Sequence, residues 1–135
     1  MKGRKPKLQI VDGSKGAGRC PPPPGSLCAH GAAEWKRTAP LLHERGHLTD
    51  DTLATLEGYC RAVGLSRTYT EMMNTEGHVL QTDKGPVTHP AFKMLMGAMR
   101  EARLLAAELA LTPHRRGTAA KEGEAANGWD TDLLA

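Results

Sequence analysis

Residues 48–64 read LTDDTLATLEGYCRAVG, and they contain the clearest helix start in the chain. Thr49 suits an N-cap because its hydroxyl can accept a hydrogen bond from an early helical N–H group, and Asp50 and Asp51 suit the positive end of the helix dipole. Leu48 can pack on Leu53 as a hydrophobic staple. We therefore expect a helix that starts at this point. Its apolar stripe is formed by Leu53, Leu56, Cys60 and Val63.

A shorter helix is predicted upstream, beginning near His30 or Gly31 and ending at Arg45. Its apolar residues recur at helical spacing and are Ala32, Trp35, Ala39 and Leu42. Gly46 is placed to terminate this helix, and the connection to Leu48 is short. The two helices should therefore form an antiparallel hairpin.

The pattern downstream predicts one more helix. The second helix is expected to break or bend at Gly64 and to stop at Gly77, and residues 78–88 have the pattern of a loop or a small β-hairpin. A third helix should begin at Pro90, a favoured first helical position, and end at Thr112–Pro113. Its apolar face consists of Phe92, Leu95, Met96, Met99, Ala102, Leu105, Ala106 and Leu109. The predicted fold class is all-α, a helical hairpin plus a third helix between flexible terminal segments.

Composition divides the chain into a basic, Pro/Gly-rich arm and linker (1–28), a helical oligomerisation core (29–116) and an acidic, flexible tail (117–135). Six basic residues stand in the first part: Lys2, Arg4, Lys5, Lys7, Lys15 and Arg19. Such an arm suits contacts with DNA phosphates, because binding then releases counterions. The alternative is that both ends are simply solvated.

The core is small for a chain of 135 residues, since only 39% of them are hydrophobic and 4% aromatic. A single copy would have little apolar area with which to offset the loss of chain entropy. Association between copies is therefore expected. The residues assigned to contacts between copies are Trp35, Leu42, Leu53, Leu56 and Met99, although Trp35 also suits a core position.

The sequence contains no pattern typical of an enzyme or a metal protein. Residues 13–19 have glycines and basic residues but lack the Gly-Lys-Ser/Thr ending of a phosphate-binding loop. The three cysteines are irregularly spaced, which argues against structural zinc and favours a reducing cytosol, and Cys60 in the apolar stripe suits a buried thiol. No apolar run approaches membrane-spanning length. We expect no catalytic residues, metal, cofactor or membrane partner.

The order of several short motifs resembles the small terminase subunits of cos-type lambdoid siphophages. The matching residues are Met1 to Lys7, Glu34-Trp35, Ala39-Pro40, Leu42, Gly46, Leu48-Thr49, Asp51, Leu53, Tyr59-Cys60, Gly85, His89-Pro90-Ala91, Arg103-Leu104, Glu108-Leu109, Leu111-Thr112-Pro113 and Arg115 or Arg116. The resemblance covers most of residues 1–116. This chain departs from the family pattern at Ala110, where the family usually has glycine, and in the high glycine and proline content of residues 11–25.

The resemblance implies an all-helical subunit that forms a homo-oligomeric ring, with a nonamer as one option. Such a ring binds double-stranded viral DNA near the packaging start. It recruits or stimulates the large terminase subunit, which carries the ATPase and the nuclease. The protein would act in the host cell cytoplasm and be absent from the mature virion. The residues assigned to docking on the large subunit are Trp129, Asp130, Asp132, Leu133 and Leu134.

Two other classes of protein remain open from the sequence. The first is a small helical transcriptional regulator with a helix-turn-helix around residues 46–48. Asp50, Asp51 and Glu57 early in the second helix disfavour it, because they would repel phosphate where a reading helix presents arginine, lysine or amides. The second is a purely structural virion or assembly protein without a DNA role, which would lack salt-dependent DNA binding.

Overall fold

The computed structural model describes residues 18–113, which form three helices and a short β-hairpin. The elements are α1 (Ala29–Glu44), α2 (Asp50–Glu76), β1 (Val79–Thr82), β2 (Gly85–Thr88) and α3 (Ala91–Glu108). All three predicted helices are present, and the expectation of a mostly helical chain is confirmed. Residues 79–82 and 85–88 pair as two antiparallel strands, which confirms the β-hairpin alternative and adds a short two-stranded sheet to the predicted all-α class.

Helix α2 begins at the predicted cap. The Thr49 N–H group donates to Oγ1 of Thr52 at 2.9 Å, and the Thr49 carbonyl oxygen accepts from the Leu53 N–H group at 3.1 Å. These bonds pair backbone groups at the end of the helix. Asp50 and Asp51 occupy the first turn, where their charges suit the helix dipole.

The helix continues through Gly64 without a break. Glycine at this position allows close packing against α1. A Cβ atom at Gly64 would lie 2.9 Å from the backbone nitrogen of Gly31 in α1, and a Cβ atom at Gly31 would lie 2.9 Å from the carbonyl oxygen of Cys60. Two glycines thus let the backbones of α1 and α2 approach closely. Since the start of α1 meets the middle of α2, and a short turn joins the other ends, the hairpin is antiparallel as predicted.

The core lies where α2 packs between α1 and α3. Gly58 faces Leu105 of α3, with a potential Cβ contact at 3.4 Å. The buried residues that form the main cluster are Trp35, Ala39, Leu42, Leu56, Tyr59, Cys60 and Leu109. This confirms that Cys60 is a core thiol.

Part of the predicted linker rests on this core. The indole Nε1 of Trp35 donates to the carbonyl oxygen of Pro21 at 3.0 Å, and Cys20 and Leu27 pack against the core cluster. Ser26 Oγ donates to Glu57 Oε1 of α2 at 2.8 Å. The chain from Cys20 onward therefore packs against the helical hairpin, and the structured unit begins before residue 29.

His89 ties the β-hairpin to both neighbouring helices. Its ring Nδ1 accepts the N–H of Ala91 at 3.0 Å, so the ring proton lies on Nε2, which donates to Glu76 Oε2 at 2.9 Å. The His89 N–H group donates to the carbonyl oxygen of His78 at 3.0 Å. The buried His89 ring thus caps α3 and holds the end of α2, while the backbone N–H group of the same residue closes the hairpin.

Helices α1 and α3 end in the same hydrogen-bond pattern. After α1, the N–H groups of Gly46 and His47 bond the carbonyl oxygens of His43 and Leu42. After α3, Ala110 and Leu111 make the equivalent bonds to Ala107 and Ala106. This is the Schellman motif, whose C′ residue adopts positive φ. That residue is Gly46 (φ 70°) in one motif and Ala110 (φ 51°) in the other.

Replacing Ala110 by glycine is expected to stabilise the protein by about 1 kcal/mol. The left-handed conformation costs an alanine about 1–2 kcal/mol, and part of the gain is offset by the greater chain entropy of glycine when unfolded. Urea unfolding followed by circular dichroism measures the change. The matched control is Gly46→Ala at the same position of the other motif, which should destabilise by a similar amount. Equal or reduced stability of the Ala110→Gly variant would contradict the prediction.

Candidate functional site

Helix α3 carries two strips of side chains on opposite flanks of its contact with α2. The first, which we call the ridge, consists of Phe92, Met96, Met99 and Arg103, spaced four, three and four residues apart. Phe92, Met96 and Met99 are each about half exposed, at 47%, 50% and 52%. Arg100 borders the ridge and lines a surface depression with its two methionines. The ridge is therefore an apolar strip edged by positive charge.

The second strip faces a groove between α2 and α3. It consists of Met94, Ala98, Glu101 and Leu105, at the same spacing as the ridge but displaced by two residues. Leu65 and Tyr69 of α2 form the opposite wall, and the groove encloses about 490 Å³. Met94 is 58% and Leu65 40% exposed. We call this feature the groove.

Within each strip the exposed apolar side chains adjoin one another along the helix. Val79 and Val87 of the β-hairpin are also exposed, and a depression beside Thr88, His89 and Phe92 runs on towards the ridge. Scattered apolar residues are ordinary on protein surfaces, whereas contiguous patches mark interaction surfaces. Helix α3 is therefore the best candidate for contact with another macromolecule.

The base of the basic arm lies beside the turn between α1 and α2. Exposed Arg19 lines a surface cleft with Pro21, His43, Leu48 and Asp50. Of the six basic residues assigned to DNA, only Arg19 falls within residues 18–113. The other five, Lys2, Arg4, Lys5, Lys7 and Lys15, lie outside the described residues, as do Trp129, Asp130, Asp132, Leu133 and Leu134. The structure thus gives the place from which the arm starts.

A buried carboxylate organises the interior of the α1–α2 hairpin. Glu34, only 3% exposed, accepts hydrogen bonds from the guanidinium of Arg37, from Tyr59 Oη at 2.8 Å and from Thr38 Oγ1 at 3.2 Å. Arg67 Nη2 of α2 lies 3.7 Å from its other oxygen. The hydrogen bond from Arg37 is the main reason that the pKa of Glu34 is lowered, against the opposing effect of burial. The network joins α1 to α2 through charge-assisted bonds.

The buried titratable groups near Glu34 stay protonated at neutral pH. Burial is the main cause that raises the pKa of Tyr59 to about 12 and that of the Cys60 thiol to about 12. A protonated phenol is the hydrogen-bond donor that the Glu34 carboxylate requires. A protonated, buried thiol is a poor nucleophile and a poor metal ligand. Within residues 18–113, no cluster of three potential metal ligands is present.

Most residues assigned to contacts between copies lie inside the single chain. Trp35, Leu42 and Leu56 are at most 3% exposed, and Leu53 packs against the same cluster. Their side chains stabilise the protomer, whereas Met99 is exposed at 52%. Both tryptophan and leucine suit cores and interfaces equally, and periodicity alone does not separate the two.

Sequence reasoning gave Glu34 and Tyr59 no role beyond the family resemblance, and it did not predict the groove. Glu34 stands as an acidic residue one position from the apolar stripe of α1, which is a signal for a buried, paired carboxylate. Leu65 and Tyr69 stand four residues apart in α2 and so share a face. Neither signal indicates which partner the residue meets.

None of the helices within residues 18–113 combines the length and the apolar character needed to span a membrane. A family model described as phage terminase, small subunit, matches residues 31–126, which is well over half of the chain. The match includes all but the first two residues of α1, the whole of α2, the β-hairpin and α3, and it continues beyond the described residues. No curated protein and no solved structure matches the chain. With its helical hairpin, capped third helix and family match, the chain belongs to the phage terminase small subunit family and has a role in the packaging of phage DNA.

Proposed function

We propose that the protein is a non-enzymatic adaptor that binds double-stranded viral DNA and recruits and stimulates the large terminase subunit to start packaging. The observation that carries this proposal is the family match over residues 31–126. In this division of labour the large subunit supplies ATP hydrolysis and DNA cleavage in the host cell. The small subunit needs no cofactor and supplies binding surfaces.

The DNA contacts are assigned to the basic arm. Lys2, Arg4, Lys5 and Lys7 stand close together in the sequence, and Lys15 and Arg19 continue the series. Lysine and arginine contacts to phosphate provide affinity that does not depend on base sequence and that weakens with salt. Arg19 supports the assignment, because it is exposed at the point where the arm joins the helical hairpin.

The contact with the large subunit is assigned to the acidic tail. Trp129 and the pair Leu133-Leu134 are bulky apolar residues among Asp130 and Asp132. A tryptophan with leucines can fill a partner's pocket, while the carboxylates select a basic rim around it. The core is then left free to assemble.

Assembly into a ring is supported by the exposed ridge and groove on α3, which a single copy leaves open to water. Native mass spectrometry of the full chain gives the copy number. A closed assembly of many copies is expected. A dimer would instead favour the helical transcriptional regulator.

Two deletions should separate the two binding functions. Removing residues 1–19 takes away all six assigned basic residues but keeps Pro21, which Trp35 holds. This variant should lose salt-dependent DNA binding, and the slope of log affinity against log salt should fall by about 0.9 for each phosphate that the arm neutralises in the unmodified chain. Removing residues 117–135 should leave DNA binding intact and abolish stimulation of the large subunit's ATPase.

The two variants are controls for each other, because each should keep the function that the other loses. Lys36→Gln on the exposed side of α1 is compared with Lys5→Gln in the arm, and only the latter should weaken DNA binding. Unchanged DNA affinity after removal of residues 1–19 would contradict the role of the arm. Full ATPase stimulation without residues 117–135 would contradict the role of the tail.

A further inference from the structure

The ridge and the groove lie on opposite flanks of the same helix. Their residues are offset by two positions, and each helical residue turns the chain by about 100°, so the strips are separated by roughly 200° around α3. Both strips extend over the same length of helix, from Phe92 to Arg103 and from Met94 to Leu105, which is roughly 17 Å. The two surfaces therefore match in length and point away from each other.

The ridge is positively charged, whereas the groove is lined by one arginine and one glutamate. Arg100 and Arg103 at the ridge form no ion pair within residues 18–113, and neither does Glu101 at the groove. The other charged residue that lines the groove, Arg61, is already paired with Glu57 at 2.8 Å. Among the described residues, the ridge thus offers positive charge without a partner and the groove offers negative charge without a partner.

We propose that the ridge of one copy packs into the groove of the next, so that identical chains join head to tail. This proposal rests on the ring assembly of the proposed function and names its contacting surfaces. Phe92, Met96 and Met99 would fill the space between Leu65, Tyr69 and Met94 of the neighbouring copy, and the arginines would approach Glu101. Apolar burial supplies the affinity, and the charges set the orientation.

A head-to-tail arrangement fits the charges better than a two-fold dimer does. If two ridges met across a two-fold axis, two surfaces that each carry Arg100 and Arg103 and no acidic residue would be brought together, and like charges at an interface are repulsive. Two-fold pairing of ridges would also leave both grooves exposed. Pairing unlike surfaces covers both strips on every copy, and such an array closes into a ring when the rotation between copies allows it.

The test uses two variants of the full chain, each damaged on one surface. Met96→Asp with Met99→Asp damages the ridge, and Leu65→Asp with Met94→Asp damages the groove. All four side chains are at least 40% exposed, so the fold should persist, and circular dichroism checks the helical content. Each variant alone should be monomeric, with the dissociation constant of the interface raised at least about 100-fold.

Mixing the two variants gives the decisive result. The ridge-damaged chain keeps its groove, and the groove-damaged chain keeps its ridge, so the mixture should form a one-to-one dimer and nothing larger. Leu104→Asp is the matched control, because Leu104 is 45% exposed on α3 but lies in neither strip. This variant should assemble like the unmodified chain.

The remaining outcomes would overturn the pairing in distinguishable ways. Normal assembly of the groove-damaged variant would leave the ring in place but exclude the groove from it. If the ridge-damaged variant assembled normally but no longer stimulated the ATPase, the ridge would be a contact for the large subunit. If removal of residues 117–135 caused disassembly, the tail would be the segment that occupies the ridge. A monomeric unmodified chain would refute the ring itself.

Discussion

Replacing Glu34 by alanine is expected to lower the free energy of unfolding by about 3 kcal/mol. The substitution removes the acceptor for the buried Tyr59 phenol and for Thr38, and it leaves the Arg37 guanidinium without its partner. Breaking a buried ion pair costs about 3–5 kcal/mol. The lower end applies because the Arg37 side chain is 60% exposed and water can solvate it after the change.

Urea unfolding of the full chain at a fixed protein concentration measures this effect. Glu34→Gln is the matched variant, because it keeps the shape and one acceptor oxygen while it removes the charge, and its loss should be smaller. A loss below about 1 kcal/mol for the alanine variant would mean that the network contributes little. Helicity of the folded variant is checked by circular dichroism.

The Glu34→Gln variant and the unmodified chain also give a pH test. The folded pKa of Glu34 is lowered, so its ionised form stabilises the fold at pH values above the unfolded pKa of about 4.3. This contribution should decline as the pH falls through that value and be lost below the folded pKa. Glu34→Gln cannot titrate, so the stability difference between the two chains should shrink at acidic pH. A difference that stays constant from neutral pH to strongly acidic pH would contradict the assignment.

Replacing Gly64 by alanine is the second large effect, with an expected net loss of about 1–2 kcal/mol, because a gain in helix propensity of up to about 1 kcal/mol offsets part of the overpacking. The new methyl group would lie 2.7 Å from the Cys28 sulfur and 2.9 Å from the Gly31 backbone nitrogen. The sulfur can move, but the backbone of α1 has to shift, and overpacking of this kind costs about 1–3 kcal/mol. The shift also disturbs the Glu34 network across the same helix pair.

Gly97→Ala in the middle of α3 is the matched control. It makes the same chemical change inside a helix, but a Cβ atom there has no neighbour within 4 Å. Helix propensity then favours alanine by up to about 1 kcal/mol, so this variant should be as stable as the unmodified chain or more so. Chemical unfolding of both variants separates packing from propensity. If the two variants were equally stable, α1 and α2 could move apart at Gly64 without a measurable loss in the free energy of unfolding.

Helix positions could be predicted because periodicity and capping are local. Thr49, Gly46 and Pro90 stand at or next to the ends of the helices that they predict, and each acts through its own backbone or that of its nearest neighbours. Gly64 behaves differently. Its interpretation as a breaking or bending point used the low helix propensity of glycine, whereas the deciding contact is with Gly31, which is distant in the sequence. Tertiary packing overrides propensity at that position.

The division between buried core and exposed surface could not be predicted from the same pattern. Trp35, Leu42 and Leu56 share the apolar stripes of α1 and α2 and point inward, while Met96 and Met99 on α3 remain exposed. The apolar stripe of α3 is wider than the surface that α2 can cover, so part of it stays exposed to water. The buried part and the exposed part of the stripe have the same hydropathy. Only the three-dimensional position of α2 between α1 and α3 determines which apolar residues are buried and which are exposed.

The bond between Trp35 and Pro21 has a consequence for the energetics of DNA binding. It makes the basic arm a tether whose origin is fixed beside the turn between α1 and α2, and the residues before Pro21 can reach at most about 70 Å when fully extended. If the arm binds DNA as proposed, phosphates within that radius meet it at a high effective concentration. If several copies share one DNA molecule, their weak individual contacts combine into avidity, which raises affinity without a new contact in any single chain.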